Sequence, residues 1–333
     1  MKDVRIGVIG FGRQGEMYSK NIKFMTPNAK LVCIAELNID AIKKNDFDNV
    51  DIYKDYLEII KRKDIDAIVI ATGADSHERI IIDACKAGKH IFCEKPVALN
   101  IRSIEKIEEE IDRAGIKFMV GFNRRFDPNF SKIKELIEKG KIGNPNIITI
   151  TSRDPKPPTI EYLKNSGGIF MDQTIHDFDM IRFLMGNEVK EIFAMGSVLV
   201  DPKIGELEDV DTTMIVLKFK NNAIGSINNS RKAVYGYDQR VEVFGSGGLL
   251  MAHNKTPNSV ELFDLDGIHS DKPLFFNIER YPESFKNEIT SFVETIRNDK
   301  TPEVTIIDGK ISVLMALAAK ESLIKNKPIK MEI

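Results

Sequence analysis

The chain has 333 residues, which is enough for two domains of about 100–200 residues each. Its 48 Lys and Arg residues are balanced by 50 Asp and Glu residues, and the net charge of -2 argues against binding to nucleic acid or an anionic membrane surface. The N-terminus enters a strand-like run directly, and no apolar run approaches ~20 residues. We therefore expect a soluble cytoplasmic protein whose selectivity comes from local pockets.

The three cysteines Cys33, Cys85 and Cys93 lie in apolar or helical stretches. They have neither the close spacing of zinc ligands nor the density of a secreted disulfide framework. We therefore expect reduced thiols in the core, and no metal site is predicted.

Short apolar runs alternate with helical stretches from the start of the chain to about Gly121. The runs are "VRIGVIG", "AKLVCIAE", "IDAIVIAT", "KHIFCEKP" and "KFMVGFN". This alternation predicts an α/β domain over residues 1–122, with a parallel sheet and crossover helices. The segment "DSHERIIIDACKAG" predicts one of those helices, with Asp75 as its N-cap, Glu78 three residues later and Gly88 just beyond its C-terminus.

The second half has a different pattern, which predicts an α+β domain over residues 123–333. A helical stretch, "NFSKIKELIEKGKIG", precedes the longer runs "NIITITSRD", "TTMIVLKFKN", "AIGSINNSRKA" and "QRVEVFGSGG". The turn residues in "KNNAIGS", between two of these runs, are typical of an antiparallel hairpin. We therefore predict a mostly antiparallel sheet.

The glycine cluster "GFGRQG" follows the first strand and opens a helix. Gly10 would permit the tight turn, Gly12 would let the backbone approach a pyrophosphate, and Gly15 would allow close packing of helix on strand. The alternative is a tight turn without a ligand. The context favours dinucleotide binding.

Glu36 stands about 20 residues beyond the last glycine, at the end of the second strand. A carboxylate there can accept hydrogen bonds from an adenosine ribose but repels a 2'-phosphate. Neither Leu37 nor Asn38 supplies a compensating cation. The sequence therefore predicts NAD rather than NADP.

Two later stretches carry groups suited to proton transfer. Asp172, His176 and Asp179 stand at i, i+4 and i+7, so a helix would place them on one face. The alternative is a solvated face with an incidental histidine. A carboxylate near His176 could orient the imidazole as a general base. His77 is the rival histidine, although its place in the first turn of a helix suits a structural or cofactor-side contact better.

Lys95 follows the strand in "CEKPVA", at the edge where open α/β sheets bind ligands. Its ammonium could bind a substrate hydroxyl and stabilise the charge that develops on the oxygen. The alternative is an ordinary surface lysine before Pro96. Sequence alone leaves open whether the Lys95-Pro96 bond is cis.

Together, "GFGRQG", Glu94-Lys95-Pro96 and the Asp172 to His176 spacing resemble the Gfo/Idh/MocA oxidoreductases, and most closely the bacterial inositol 2-dehydrogenases. The resemblance extends along the chain through "GFNRRFDPNF", "TSRDPKPP", "AVYGYDQRVEVFG" and "ALAAKESLIKNKP". It implies a Rossmann domain and a second domain with an open, mostly antiparallel sheet, which commonly assembles dimers or tetramers. Family members often have Asp where this chain has Glu36.

The resemblance also implies the site residues. The catalytic group would be Lys95, Asp172 and His176. The substrate-binding residues would be Lys95, Arg125, Asp172, His176, Asp179 and Tyr235, with Arg153, Asp154 and Tyr281 as weaker candidates. The cofactor-binding residues would be Gly10, Phe11, Gly12, Arg13, Gln14, Gly15, Glu36, Thr72, Gly73, His77, Glu94 and Lys95.

The reaction that this family resemblance implies is NAD-dependent oxidation of a secondary ring alcohol, with myo-inositol giving 2-keto-myo-inositol (scyllo-inosose). His176, assisted by Asp172, would take the hydroxyl proton while Lys95 orients the oxygen. Three alternatives stay open. They are scyllo-inositol or another isomer as substrate, an aldose oxidised at its anomeric carbon, and an NAD-binding sensor without turnover.

Overall fold

The computed structural model describes residues 2–42, 46–186 and 188–332. The chain folds into two units, of which the first contains the residues up to Phe126 and Glu283–Val313. The second contains Asp127–Pro282 and the residues from Leu314 onward. The first break lies close to the predicted boundary between residues 122 and 123. The return of 283–313 to the first unit differs from the predicted division.

The first unit is built on a six-stranded parallel sheet in the order β3-β2-β1-β4-β5-β6. This is the strand order of doubly wound dinucleotide-binding folds. Its strands are β1 (Val4–Ile9), β2 (Ala29–Ala35), β3 (Asp51–Tyr53), β4 (Ala67–Ile70), β5 (His90–Glu94) and β6 (Phe118–Gly121). The central strands are buried along almost their whole length, which explains why they read as continuous apolar runs. The predicted parallel sheet is confirmed.

The helices are α1 (Arg13–Phe24), α2 (Tyr56–Ile60), α3 (Ala74–Lys86), α4 (Ile101–Ala114), α5 (Pro128–Glu138), α6 (Ile160–Leu163), α7 (Ile175–Met185), α8 (Pro202–Gly205), α9 (Asn277–Arg280), α10 (Pro282–Arg297) and α11 (Ile306–Lys325). In α3 the predicted N-cap was wrong. Gly73 caps the helix in an extended conformation, and Asp75 is already the second helical residue. Gly88 lies beyond the C-terminus with φ +69°, as predicted.

Phe285 and Phe292 of α10 explain why residues 283–313 belong to the first unit. Phe292 packs on Phe92 of β5 with ring centroids 5.8 Å apart, and Phe285 packs edge-on against Tyr18 of α1 at 6.1 Å. Both phenylalanines are at most 2% exposed. The helix therefore completes the hydrophobic core beside the parallel sheet.

The second unit contains a seven-stranded sheet in the order β12-β11-β7-β10-β9-β8-β15. Its strands are β7 (Pro145–Arg153), β8 (Val189–Ser197), β9 (Thr212–Phe219), β10 (Ile224–Ser230), β11 (Asp238–Gly245), β12 (Gly248–Ala252) and β15 (Ile329–Lys330). Among the strands that the structure describes in this sheet, only the β7 and β10 pair is parallel, so the predicted mostly antiparallel sheet is confirmed. The predicted β9–β10 hairpin is present, and a separate hairpin pairs β13 (Glu261–Asp264) with β14 (Gly267–Ser270).

The two faces of the seven-stranded sheet differ in burial. One face is covered, while the other exposes large apolar side chains. Phe244 pairs across the strands with Ile147 on one side and with Leu249 on the other, and all three are exposed. Met214 and Val216 of β9 lie on the same exposed face. We call this surface the open sheet face.

The cysteines are buried in the core, as the sequence predicts. All three cysteines are buried and free, and burial raises the pKa of the Cys33 and Cys85 thiols to about 12. Across the described ranges, every helix is too short or too polar to span a bilayer.

Candidate functional site

The glycine loop between β1 and α1 has the geometry that its sequence predicts. Gly10 has φ +89°, a conformation that side chains disfavour, and a Cβ on Gly15 would lie 2.0 Å from the carbonyl oxygen of Gly10. No atom lies within 4 Å of the place where a Cβ of Gly12 would stand. Gly12 is also the N-cap of α1, and no side chain caps the helix. The backbone N–H groups in the first turn of an α-helix have no intrahelical partners, so this helix N-terminus fits a pyrophosphate.

Glu36 lies beside this loop, directly after β2. Its Oε2 accepts a hydrogen bond from Phe11 N at 2.7 Å, and its Oε1 accepts one from Asn38 N at 2.9 Å. Each carboxylate oxygen has a second lone pair, so both can still accept a hydroxyl. This arrangement fits the ribose of NAD, and Phe11 itself is buried against Phe47.

The remaining loop residues of the predicted cofactor set occupy different environments. Arg13 is exposed and Gln14 is half-buried in the first turn of α1. Thr72 Oγ1 lies 2.6 Å from Ser76 Oγ at the start of α3, next to the Gly73 cap. Cofactor contacts of these residues stay predictions.

His77 is buried between two loops of the first unit. Its Nδ1 lies 3.0 Å from the carbonyl oxygen of Pro96, and its Nε2 lies 3.1 Å from that of Thr72. Burial lowers the pKa of His77. Because both ring nitrogens face backbone, this histidine is better suited to joining the loops after β4 and β5 than to taking a proton from a substrate.

The Glu94-Lys95-Pro96 segment follows β5, and its Lys95-Pro96 peptide bond is cis. Lys95 is half-buried, whereas Glu94 is buried. Glu94 Oε1 accepts a hydrogen bond from Tyr18 Oη at 2.5 Å, and its Oε2 accepts one from Lys95 N at 3.2 Å. The buried Glu94 side chain therefore fixes the position of the Lys95 backbone N–H.

Arg125, a predicted substrate residue, is also in the first unit. Its Nη2 donates to Asp308 Oδ1 at 2.9 Å, and its Nη1 donates to the carbonyl oxygen of Glu303 at 3.1 Å. Both charged side chains are largely buried, which orients the guanidinium firmly.

In the second unit, Asp172 lies on a π-helical segment, Phe170–Thr174, that leads into α7. The spacing of Asp172 and His176 predicts a helix, and the segment is helical, although it begins with a π turn rather than an α turn. A π turn contains more residues than an α turn, and such turns are frequent at functional sites. His176 is half-buried and its Nδ1 is inaccessible to solvent.

Two side chains bind the carboxylate of Asp172. Arg231 Nη1 donates to Oδ2 at 3.0 Å, and Tyr162 Oη donates to Oδ1 at 2.8 Å. Arg231 is completely buried. The sequence analysis missed both residues, because an arginine at the end of a strand and a tyrosine in a short helix carry no signal of what they contact.

Asp179, on α7, is fully buried, as is its neighbour Asp177. This burial excludes a solvated polar face at Asp179. Asp177 Oδ2 accepts a hydrogen bond from Asn229 Nδ2 at 2.7 Å. The helix therefore carries acidic groups into the interior of the second unit, where each needs compensating donors.

Tyr235 and Arg153 form a second polar group in this unit. Arg153 Nη1 donates to Tyr235 Oη at 3.0 Å, and Tyr235 Oη donates to Asp238 Oδ2 at 2.5 Å. Burial and the bond to Asp238 raise the pKa of Tyr235. The weaker candidates differ, since Tyr281 is buried among aromatic rings and Asp154 makes backbone hydrogen bonds to residues 230 and 233.

Comparison with known proteins places these observations in a family. Residues 4–122 match the family described as "Oxidoreductase family, NAD-binding Rossmann fold", and residues 130–251 match the "GFO/IDH/MocA C-terminal domain". The chain belongs to the GFO/IDH/MocA oxidoreductase family. The predicted family, the Rossmann domain and NAD as cofactor are thereby confirmed.

Relatives match along the whole chain. A myo-inositol 2-dehydrogenase of Thermotoga maritima is 45% identical over 331 residues, covering 99% of both chains. An NAD(+)-dependent scyllo-inositol 2-dehydrogenase of Bacillus subtilis is 34% identical, covering 99% of this chain and 97% of that one. The solved structure of a scyllo-inositol dehydrogenase from Lactobacillus casei, with NAD(H) and scyllo-inositol bound, is 31% identical with a TM-score of 0.91, covering 99% of both chains.

Proposed function

We propose that the protein oxidises a secondary ring hydroxyl of an inositol with NAD, and that its substrate is myo-inositol, which gives 2-keto-myo-inositol. The observation that carries this proposal is the 45% identity to a myo-inositol 2-dehydrogenase over 99% of both chains. The half-buried Asp172, which accepts hydrogen bonds from Arg231 and Tyr162, and His176 four residues later support it, because an alcohol oxidation needs a group that accepts the hydroxyl proton.

In the proposed reaction, NAD supplies the hydride acceptor. His176 takes the hydroxyl proton at Nε2, because its Nδ1 is buried. Asp172, paired with the Arg231 guanidinium, stabilises the imidazolium that forms. Lys95 donates a hydrogen bond to the same oxygen and stabilises its developing negative charge until the ketone has formed.

The substrate hydroxyls that do not react would be bound by the other predicted residues. Arg125 presents a guanidinium with five N–H donors, and Tyr235 can accept or donate through its hydroxyl. Asp179 would have to accept from its buried position on α7. Many donors and acceptors fit a ligand with several hydroxyls.

The identity of the isomer is the part of the proposal that needs a direct test. The relatives that act on scyllo-inositol favour that isomer as the second candidate. Purified protein should be assayed with NAD against myo-inositol, scyllo-inositol and a set of aldoses, following the absorbance of the reduced cofactor. The highest kcat/KM should belong to myo-inositol, and a higher value for scyllo-inositol or an aldose would replace the proposed substrate.

We also propose that the protein forms a homo-oligomer, a dimer or tetramer, through the open sheet face. Phe244, Ile147 and Leu249 stand next to one another there and are exposed. Contiguous apolar patches of this kind on soluble proteins mark interaction sites. A symmetric pairing of two copies would cover the face with the same residues from each copy.

A further inference from the structure

A buried hydrogen-bonded chain inside the first unit, Glu94–Tyr18–Glu288, needs one proton more than it would have with both glutamates ionised. Tyr18 Oη lies 2.5 Å from Glu94 Oε1 and 2.7 Å from Glu288 Oε1. All three side chains are at most 7% exposed. A phenol has a single proton and can donate to only one of the two carboxyl groups. The other carboxyl group must therefore donate to Tyr18 and must carry a proton of its own.

The surroundings decide which carboxyl group is protonated. Glu94 Oε2 accepts the Lys95 N–H at 3.2 Å, and the positive charge of Lys95 favours the ionised form of Glu94. Glu288 has no such cation, and within the described chain its Oε2 has no hydrogen-bond partner. Burying an oxygen without a hydrogen-bond partner costs less free energy in a neutral carboxylic acid than in a charged carboxylate. Glu288 is therefore the carboxyl group that carries the proton.

We propose that Glu288 is a permanently protonated carboxylic acid at neutral pH, and that it acts through Tyr18 as a positioning residue for Glu94 and the Lys95 backbone. The Glu288 carboxyl donates to Tyr18 Oη, the Tyr18 hydroxyl donates to the Glu94 carboxylate, and Glu94 accepts the Lys95 N–H. Helix α10, far along the chain, thereby helps to fix the segment after β5. The effect on turnover rests on the proposed function of Lys95, whereas the protonation state does not.

Among the described residues, the titratable groups that face this hydrogen-bonded chain are Cys93 and Lys95. Glu94 and Tyr18 face Glu288, while Cys93 and Lys95 face Glu94. Burial, followed by the charge of Glu94, raises the pKa of Glu288 well above its usual value. Burial also raises the pKa of Tyr18, so an ionised phenol does not offer another way to balance the protons.

The sign of the pH dependence follows from proton counting. Native protein keeps a proton on Glu288, whereas the unfolded chain loses it above the ordinary glutamate pKa. The contribution of this proton to the free energy of unfolding is therefore fully present below about pH 4, and it declines as the pH rises toward the raised native pKa. One extra proton in the native state makes the unfolding constant increase by up to about tenfold per pH unit.

Glu288→Gln is the decisive variant, because its neutral amide can still donate to Tyr18. Glu294→Gln, at an exposed position on the same helix, is the matched control. Between about pH 5 and 8, the ratio of unfolding constants, wild type over Glu288→Gln, should rise with pH by up to about tenfold per unit. The ratio of wild type over Glu294→Gln should stay flat. A flat ratio for Glu288→Gln would show that Glu288 is ionised and overturn the proposal.

Infrared spectroscopy of the folded protein gives an independent measure of the proton. Wild type and Glu294→Gln should show a carboxylic-acid C=O band at neutral pH that Glu288→Gln lacks. Persistence of the whole band in Glu288→Gln would place the proton elsewhere and contradict the assignment.

The positioning role is tested with Tyr18→Phe, which deletes only the bridging hydroxyl. The backbone N–H of Lys95 donates to Glu94, so its amide exchange should become at least about tenfold faster in Tyr18→Phe. In Glu288→Gln the exchange rate should stay within about threefold of wild type. If the wild type turns over inositol, kcat should fall further in Tyr18→Phe than in Glu288→Gln. Equal Lys95 exchange in Tyr18→Phe and wild type would refute the positioning role. Absent turnover of wild type would instead contradict only the proposed function.

Discussion

Arg231 and Asp172 form a charge pair in the second unit, with Nη1 of the arginine 3.0 Å from Oδ2 of the aspartate. The arginine side chain is completely buried and that of the aspartate is 13% exposed. Two charges in such a place stabilise each other only as a pair, because either one alone would have lost its water without a partner.

Arg231→Ala should therefore lower the free energy of unfolding by about 3–5 kcal/mol, since it removes the cation that pairs with the largely buried Asp172 carboxylate. Urea denaturation would measure the change. Arg113→Ala is the control, because Arg113 pairs with Glu110 on the surface and should stay within about 0.5 kcal/mol of wild type. A loss for Arg231→Ala as small as that of the control would mean that Asp172 does not depend on this partner.

Substitutions at two glycines of the loop should separate an effect on folding from an effect on cofactor binding. Gly15→Ala would bring a Cβ to 2.0 Å from the Gly10 carbonyl oxygen, so we expect a loss of at least about 1–3 kcal/mol in unfolding free energy. Gly12→Ala meets open space and should unfold almost like wild type. Its added methyl group would face the pyrophosphate, and calorimetry should show NAD affinity at least about tenfold weaker. Unchanged NAD affinity in Gly12→Ala would show that the pyrophosphate does not bind against Gly12.

Glu36 should determine the choice between the two nicotinamide cofactors. Wild type should have a higher kcat/KM with NAD than with NADP, because the carboxylate accepts from a ribose hydroxyl and repels a phosphate. Glu36→Ala should reduce this preference by about 10- to 100-fold, corresponding to a hydrogen bond to a charged group. Asp40→Ala, at an exposed position nearby, should leave the preference unchanged. A wild type that favours NADP would reverse the interpretation of Glu36.

Lys95→Ala and His176→Ala should each lower kcat by about 10²-fold or more, the range of a positioned proton-transfer group, with NAD binding preserved. Turnover assays and calorimetric titration with NAD would measure the two quantities. Lys86→Ala and His253→Ala remove exposed side chains of the same types and should keep wild-type turnover. Near-normal kcat in a folded Lys95 or His176 variant would reject the role assigned to that residue.

The open sheet face should hold the oligomer together. Phe244→Asp combined with Val216→Asp places charges among exposed apolar side chains, and light scattering should show the variant as a monomer where the wild type is a dimer or tetramer. Leu37→Asp, at an exposed position of the first unit, should keep the wild-type mass. A monomeric wild type would show that the face serves another purpose.

The sequence predicted the parts of the fold that depend on local pattern. Buried parallel strands appeared as continuous apolar runs, and the hairpin between β9 and β10 had its turn residues. Long-range packing was not predictable in this way. Helix α10 is amphipathic, but its pattern does not indicate that Phe292 completes the core beside β5 rather than another core.

The candidate site was predicted to a similar extent. The tight turn at Gly10 and the close approach at Gly15 follow local rules of the backbone and agree with the expectation, while the cofactor contacts of the loop and of Glu36 stay predictions. The partners of Asp172 were missed, because Arg231 reaches it only through the folding of β10. The cap of α3 was misassigned since Gly73 already has the required extended backbone, which left Asp75 inside the helix.

The packing of Phe285 and Phe292 against the parallel sheet affects how the protein can be made. Residues 283–313 complete the first unit, so its core stays incomplete on the ribosome until residue 313 has been synthesised. A fragment that ends at residue 126 would expose Phe92 and Tyr18 to water and leave Glu94 without Glu288. The nucleotide-binding unit is therefore not a detachable module, and its maturation depends on residues that are translated after most of the second unit.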